Sequence, residues 1–119
     1  MEKKKVNSEL QKLIEKLRHT AAKEGVILWK VVASELAGSS TKRRVVNISK
    51  LSYVTKPNET VLVPGKVLAG GDITIPLQIA AYQFSKEARQ KIEDAKGKAL
   101  TLVELMDKNP KAKEVRIIG

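Results

Sequence analysis

Val63-Pro64-Gly65-Lys66-Val67-Leu68-Ala69-Gly70-Gly71-Asp72 lies near the middle of a 119-residue chain and divides it into two kinds of sequence. Residues before it carry helical periodicity and basic charge; residues after it read as a strand followed by helices. Pro64-Gly65 and Gly70-Gly71 are both turn dipeptides, so the stretch predicts two backbone turns within about ten residues. Glycine adopts positive φ and leaves no side chain in the way of an approaching backbone or ligand. Lys66 is the one charge between the two predicted turns, where it offers an ammonium beside exposed amides. The stretch is structural punctuation first and a binding loop second.

Working outward toward the N-terminus, Gly38-Ser39-Ser40-Thr41 breaks a helical pattern and Lys42-Arg43-Arg44 follows at once. Between residues 36 and 71 there are six basic residues (Lys42, Arg43, Arg44, Lys50, Lys56, Lys66) against one acid, Glu59. The flanking segments are more balanced, eight against five before and nine against seven after. Half of the formal charge of +10 therefore falls in the middle third. A small domain with that excess, and a pI near 9.9, calls for a polyanion, and nucleic acid is the usual one. Arg offers phosphate a planar fork, Lys a point charge, and Ser or Thr a short hydrogen bond. A membrane surface is the competing partner, but it favours amphipathic helices with bulky aromatic residues. Only 3% of this chain is aromatic, and no apolar run is long enough to span a bilayer.

Further upstream, residues 1–6 carry Lys3-Lys4-Lys5 and read as a solvated start. Asn7 or Ser8 supplies an N-cap, with Ser8 and Gln11 in a capping-box pattern. Leu10, Leu13, Ile14 and Leu17 follow at helical spacing until Gly25, which suits the C′ position. A second helix over about residues 28–37 places Leu28, Val32 and Leu36 on one face, so the two make a helical hairpin. His19 is the one histidine. Without a nucleophile or an orienting carboxylate it reads as a surface residue near a helix C-terminus.

Between the basic run and the central stretch, Val45-Val46-Asn47-Ile48 reads as a strand or extended entry into the core. Ser49 is placed to cap a short helical turn through Lys50, Leu51 and Tyr53, and Pro57-Asn58 marks a turn before a strand over 60–63. Downstream, Pro76 suits the first position of a strand through Phe84, with a bulge expected at Ala80-Ala81. Ser85 caps a helix that buries Ala88, Ile92 and Ala95 and ends at Gly97. Lys98-Ala99-Leu100 is short, Thr101 and Glu104 form a capping box, and the following helix ends at Asn109-Pro110. Residues 115–119 are apolar enough to pack. The expected fold class is α/β: a small domain of 119 residues, with N-terminal helices in 1–40 and a basic loop and mixed strand/helix core in 41–119.

No catalytic chemistry has support. The central glycines lack the Gly-Lys-Ser/Thr ending of a phosphate-binding loop and do not open a dinucleotide fingerprint. Glu93 and Asp94 are neighbours on a helix and diverge. There are no cysteines, which removes thiolate chemistry and cysteine-held metals and fits a reducing, cytoplasmic setting. No metal, cofactor or small-molecule substrate is expected. Aromatic residues are sparse in the basic third, Tyr53 alone, so binding should follow phosphate and 2′-hydroxyl contacts on folded RNA.

Four blocks carry a family resemblance. Lys42-Arg43-Arg44-Val45-Val46-Asn47-Ile48-Ser49-Lys50-Leu51 and Val61-Leu62-Val63-Pro64-Gly65-Lys66-Val67-Leu68 are the first two. Phe84-Ser85-Lys86-Glu87-Ala88-Arg89-Gln90-Lys91-Ile92-Glu93 and Val115-Arg116-Ile117-Ile118-Gly119 complete them. In this order they resemble archaeal large-subunit ribosomal protein eighteen-e, a family related to eukaryotic large-subunit protein eighteen and to bacterial-type protein fifteen. The resemblance implies a structural, non-catalytic protein with an irregular β-β-α core behind N-terminal helices. Its implied partners are large-subunit ribosomal RNA and neighbouring ribosomal proteins, in the cytoplasm. On that reading Lys42, Arg43, Arg44, Lys50, Lys56 and Lys66 meet phosphates and Asn47 adds a hydrogen bond. Gly65, Gly70 and Gly71 permit close approach. Family members usually carry Gly-Gly where this chain has Lys96-Gly97. The alternatives are an RNA-binding or RNA-chaperone module outside the ribosome and a phosphate-ester enzyme built on the central glycines.

Overall fold

The computed structural model describes residues 8–38 and 43–119. The chain opens on α1 (Ser8–Glu24) and α2 (Ile27–Ala37), the predicted hairpin. Gly25 turns between them at φ 70°, and the Val26 N–H donates to the Ala21 carbonyl at 3.0 Å, a C-terminal closure that needs a left-handed residue. Asn7, the alternative N-cap, lies outside the described residues, as do Lys3, Lys4 and Lys5. There follow β1 (Arg44–Asn47), α3 (Ile48–Val54), β2 (Thr60–Leu68) and β3 (Gln78–Phe84). The chain continues with α4 (Lys86–Asp94), β4 (Lys98–Thr101), α5 (Leu102–Lys108) and β5 (Val115–Ile117).

All pairings in the five-stranded sheet are parallel, in the order β1-β2-β3-β4. The short strand β5 lies against Thr60, Val61 and Leu62 of β2, while β1 lies against Gly65 to Leu68. Two short strands thus share one edge of the central one. A parallel sheet needs cover on both faces, and alternation along the strands supplies it. Val61, Val63, Ile79 and Ala81 join Leu51 of α3 and Ile92 of α4 in one core. Leu62 and Ala80 point the other way, into a second core with Leu17 of α1, Trp29 and Leu36 of α2, and Leu102 of α5. The result is a three-layer α/β arrangement.

Pro64-Gly65 does not turn the chain. The strand β2 runs through both residues, and its pairing with β3 shifts there: β2 advances from Val63 to Lys66 while β3 advances from Ala81 to Gln83. The extra residue is a bulge. On the opposite edge Pro64 falls between Leu62, paired with β5, and Gly65, paired with β1. Proline, lacking an N–H, is tolerated because no neighbour is in register with it. The bulge expected at Ala80-Ala81 is absent, since both residues pair in register with Leu62 and Val63. Gly70-Gly71, in contrast, does leave the sheet, with Gly71 at φ 77°.

The helix caps divide similarly. Ser85 accepts from the Ala88 N–H, and Thr101 and Glu104 form the full capping box, both as read. Ser49 does not cap α3; Asn47 holds that position, and its side chain is used elsewhere. Lys98-Ala99-Leu100, too short for a pattern, is β4.

Lys96 stands at φ 71°, a left-handed conformation that costs an L-residue about 1 kcal/mol relative to glycine. Lys96→Gly, restoring the glycine pair that the family resemblance implies, should therefore raise stability by roughly 0.5–1 kcal/mol. A thermal melt checks this; an unchanged or lower midpoint contradicts it.

Candidate nucleic-acid interface

The parallel topology brings the ends of β1, β2 and β3, and the starts of the helices that follow β1 and β3, to one edge of the sheet. In open α/β sheets this carboxyl edge is where ligands bind. Here it is organised by the loop after β2. The Gly70 N–H donates to Asn47 Oδ1 at 2.9 Å, and the Gly70 carbonyl accepts from the Ser49 N–H at 3.2 Å. From the other side Lys91 of α4 reaches the carbonyls of Ala69 and Gly71 at 3.2 and 3.0 Å. The loop is thus clamped between α3 and α4.

Glycine is required in this loop for close approach, and what approaches is the protein itself. A Cβ on Gly70 would lie 2.3 Å from Asn47 Oδ1, and one on Gly71 2.4 Å from Ser49 Cβ. Gly65 is the same case, its Cβ position 2.0 Å from the Arg44 carbonyl oxygen. Asn47 likewise spends its amide oxygen on the loop.

The predicted phosphate ligands separate into two groups. Arg43 and Arg44 are half-buried and occupied. The Arg43 guanidinium lies 5.2 Å from the Tyr82 ring centroid and donates through Nη2 to the Leu36 carbonyl at 3.3 Å. Its Nε is buried without a hydrogen-bond partner. Arg44 grips Glu35 of α2 at 3.1 and 3.3 Å and donates to the Gly119 carbonyl at 3.0 Å. Together these two arginines fasten the helical hairpin to the sheet. Lys50, Lys56 and Lys66 are exposed. Lys66 is the one exposed side chain in β2, beside the exposed Val45 and Gln83 on its neighbours. Lys56 lies past the far end of α3 from the loop, so it does not join Lys50 and Lys66 at the carboxyl edge. Lys42 lies outside the described residues.

Three further cations belong to this edge of the fold. Lys86, Arg89 and Lys91 belong to α4, which leaves the sheet immediately after β3 and so starts at the same edge. Arg89 rests on the Phe84 ring, 5.1 Å from its centroid. A strand-to-helix junction at Phe84-Ser85 was legible; that β3 runs parallel to β2, which puts the two junctions side by side, was not. The arrangement is an exposed set of cations on a rigid edge of backbone loops. Among the described residues no three or more His, Asp or Glu side chains are grouped to hold a metal ion.

Comparison with known proteins defines the class. A sequence model of the family described as "Ribosomal protein 60S L18 and 50S L18e" matches residues 1–119. The chain belongs to this ribosomal protein family. Large ribosomal subunit protein eL18 of Methanothermobacter thermautotrophicus is 45% identical over 114 residues, covering 96% of this chain and 94% of that protein. The protein of the same name from Methanopyrus kandleri is 45% identical over 117 residues, covering 94% and 92%. That from Archaeoglobus fulgidus is 43% identical over 115 residues, covering 97% and 98%.

Proposed function

We propose that this protein is a structural, non-catalytic constituent of the large ribosomal subunit that binds and stabilises large-subunit ribosomal RNA and so supports translation. The observation that carries the reading is the family match over the whole chain, with relatives named for that subunit covered almost end to end. The chain acts as one RNA-binding unit in the cytoplasm, within the assembled subunit and against neighbouring ribosomal proteins. Lys50, Lys66, Lys86 and Arg89 meet phosphates along the carboxyl edge of the sheet, and Lys42 meets a further one. Lys56 extends the contact past the far end of α3. Arg43 and Arg44 act chiefly by holding the hairpin in place, and Gly65, Gly70 and Gly71 by letting β1 and α3 close on the central strand. Lys91 contributes its charge while bracing the loop.

Sedimentation of a cell lysate through a sucrose gradient tests assembly: the chain should travel with large subunits and resist moderate salt. Recovery only at the top of the gradient would overturn the reading. In direct binding to large-subunit RNA, neutralising about five phosphates should make affinity fall with roughly the fourth power of salt concentration. Lys66→Ala should lower that power by about one at an unchanged melting temperature, since Lys66 is an exposed cation. A salt-independent affinity would sink the phosphate-contact model.

A further inference from the structure

Tyr53 is 90% exposed, more than any other large hydrophobic side chain among the described residues. It sits on α3, a helix whose inner face, Ile48 and Leu51, is fully buried. Helical spacing sets Ser49 and Lys50 four and three positions before Tyr53, so hydroxyl, ammonium and phenol ring share the outer face. No acidic residue occurs in α3. The acid that follows it, Glu59, is engaged by Arg116 at 3.1 Å and by the Lys56 N–H at 3.0 Å.

The helix beneath the ring is unusually well tethered for its seven residues. Ser52 Oγ exchanges a 2.9 Å hydrogen bond with Thr74 Oγ1 and accepts from the Thr74 N–H at 3.1 Å. The Asn47–Gly70 bond holds its start, and at its end the Val54 carbonyl accepts from Arg116. The backbone that carries the ring is therefore held in place, so binding a base need order only the side chain itself. Surfaces that read unpaired nucleotides combine these parts: an aromatic face for the base and a cation for its phosphate.

We infer that Tyr53 is a base-stacking residue, its ring covered by one unpaired nucleotide of the ribosomal RNA whose phosphate lies against Lys50. This rests on the ribosomal RNA-binding reading and adds a contact with a nucleobase to a surface otherwise built for phosphates. A protein partner of acidic character would suit Lys50 as well, but α3 offers it a rigid ring rather than an apolar groove.

The test is binding of the full chain to a large-subunit ribosomal RNA transcript as a function of salt, with chemical probing of the RNA in parallel. Tyr53→Ala should weaken binding about 5- to 100-fold with the salt dependence unchanged, whereas Tyr53→Phe should bind like the parent. One unpaired nucleotide should be protected by the parent and by Tyr53→Phe, and exposed again with Tyr53→Ala. Parent binding with normal salt dependence, together with an unaffected Tyr53→Ala, overturns the stacking assignment and leaves the RNA-binding reading intact. Failure of the parent chain itself to bind overturns both. If Tyr53→Ala binds the transcript normally yet is lost from complete subunits, the ring meets a neighbouring protein and the assignment fails.

Discussion

Gly65→Ala should unfasten β1 from β2 and destabilise the fold by about 3 kcal/mol or more. The added methyl would sit 2.0 Å from the Arg44 carbonyl oxygen and 2.8 Å from its carbon, both backbone atoms with no rotamer to yield. Relief requires the strands to separate. That separation would propagate, because β1 carries Arg44, which holds Glu35 and the Gly119 carbonyl, and Asn47, which holds the loop after β2. RNA affinity should fall with stability, since α3 hangs from the end of β1. Gly38→Ala is the control: its nearest non-neighbouring atom is 3.5 Å from the Cβ position, an ordinary contact, and its φ is −76°. It should change stability by less than about 0.5 kcal/mol. Equal denaturation midpoints for the two variants would show that the close approach at Gly65 is not what fixes β1.

Trp29→Ala should cost about 3–5 kcal/mol, a large share of a small domain's stability. The side chain is fully buried at the centre of the core between the sheet and the hairpin, and its Nε1 donates to the Pro110 carbonyl at 2.8 Å. It therefore joins α2 to the segment after α5. Removing it leaves both a cavity and an unpaired carbonyl, and the midpoint of thermal unfolding should drop by roughly 15 °C or more. Trp29→Phe separates the two effects. It keeps most of the packing and gives up the hydrogen bond, so its loss should be about 1–3 kcal/mol. Circular dichroism follows all three forms, and Trp29, the one tryptophan in the chain, gives the parent an independent fluorescence signal. A Trp29→Ala variant that melts within a few degrees of the parent would place the core elsewhere.

What could be read from the sequence was local chemistry. The hairpin, the glycine closure at Gly25, the Ser85 cap and the Thr101–Glu104 box depend on residues within a few positions of each other, and each appears as read. Pro64-Gly65 misled because turn propensity is a property of the dipeptide, whereas its tolerance inside β2 depends on β1, β3 and β5, all distant in sequence. Strand β4 was missed for a related reason: four residues carry no period, and β3 defines it. At the interface the concentration of charge in the middle third was visible, yet counting acids by segment could not show that Glu35, less than one turn before the break, is the partner of Arg44. The stacking of Arg43 on Tyr82 was equally out of reach. The α4 cations lie outside the basic third, and without the parallel register nothing in the sequence brings the start of α4 to the same edge as that of α3.

The way β5 and β1 divide one edge of β2 also bears on the order of events during synthesis. Every neighbour in this sheet is parallel and reached only by a crossover, so few strand contacts form between residues close in the chain, a topology that folds slowly. The first half of β2 stays an open edge until residues 115–117 exist, and an open edge is a template for the wrong partner. The nascent chain must therefore carry an unfinished central strand while everything from β3 to α5 is synthesised, and the sheet closes only once β5 has emerged.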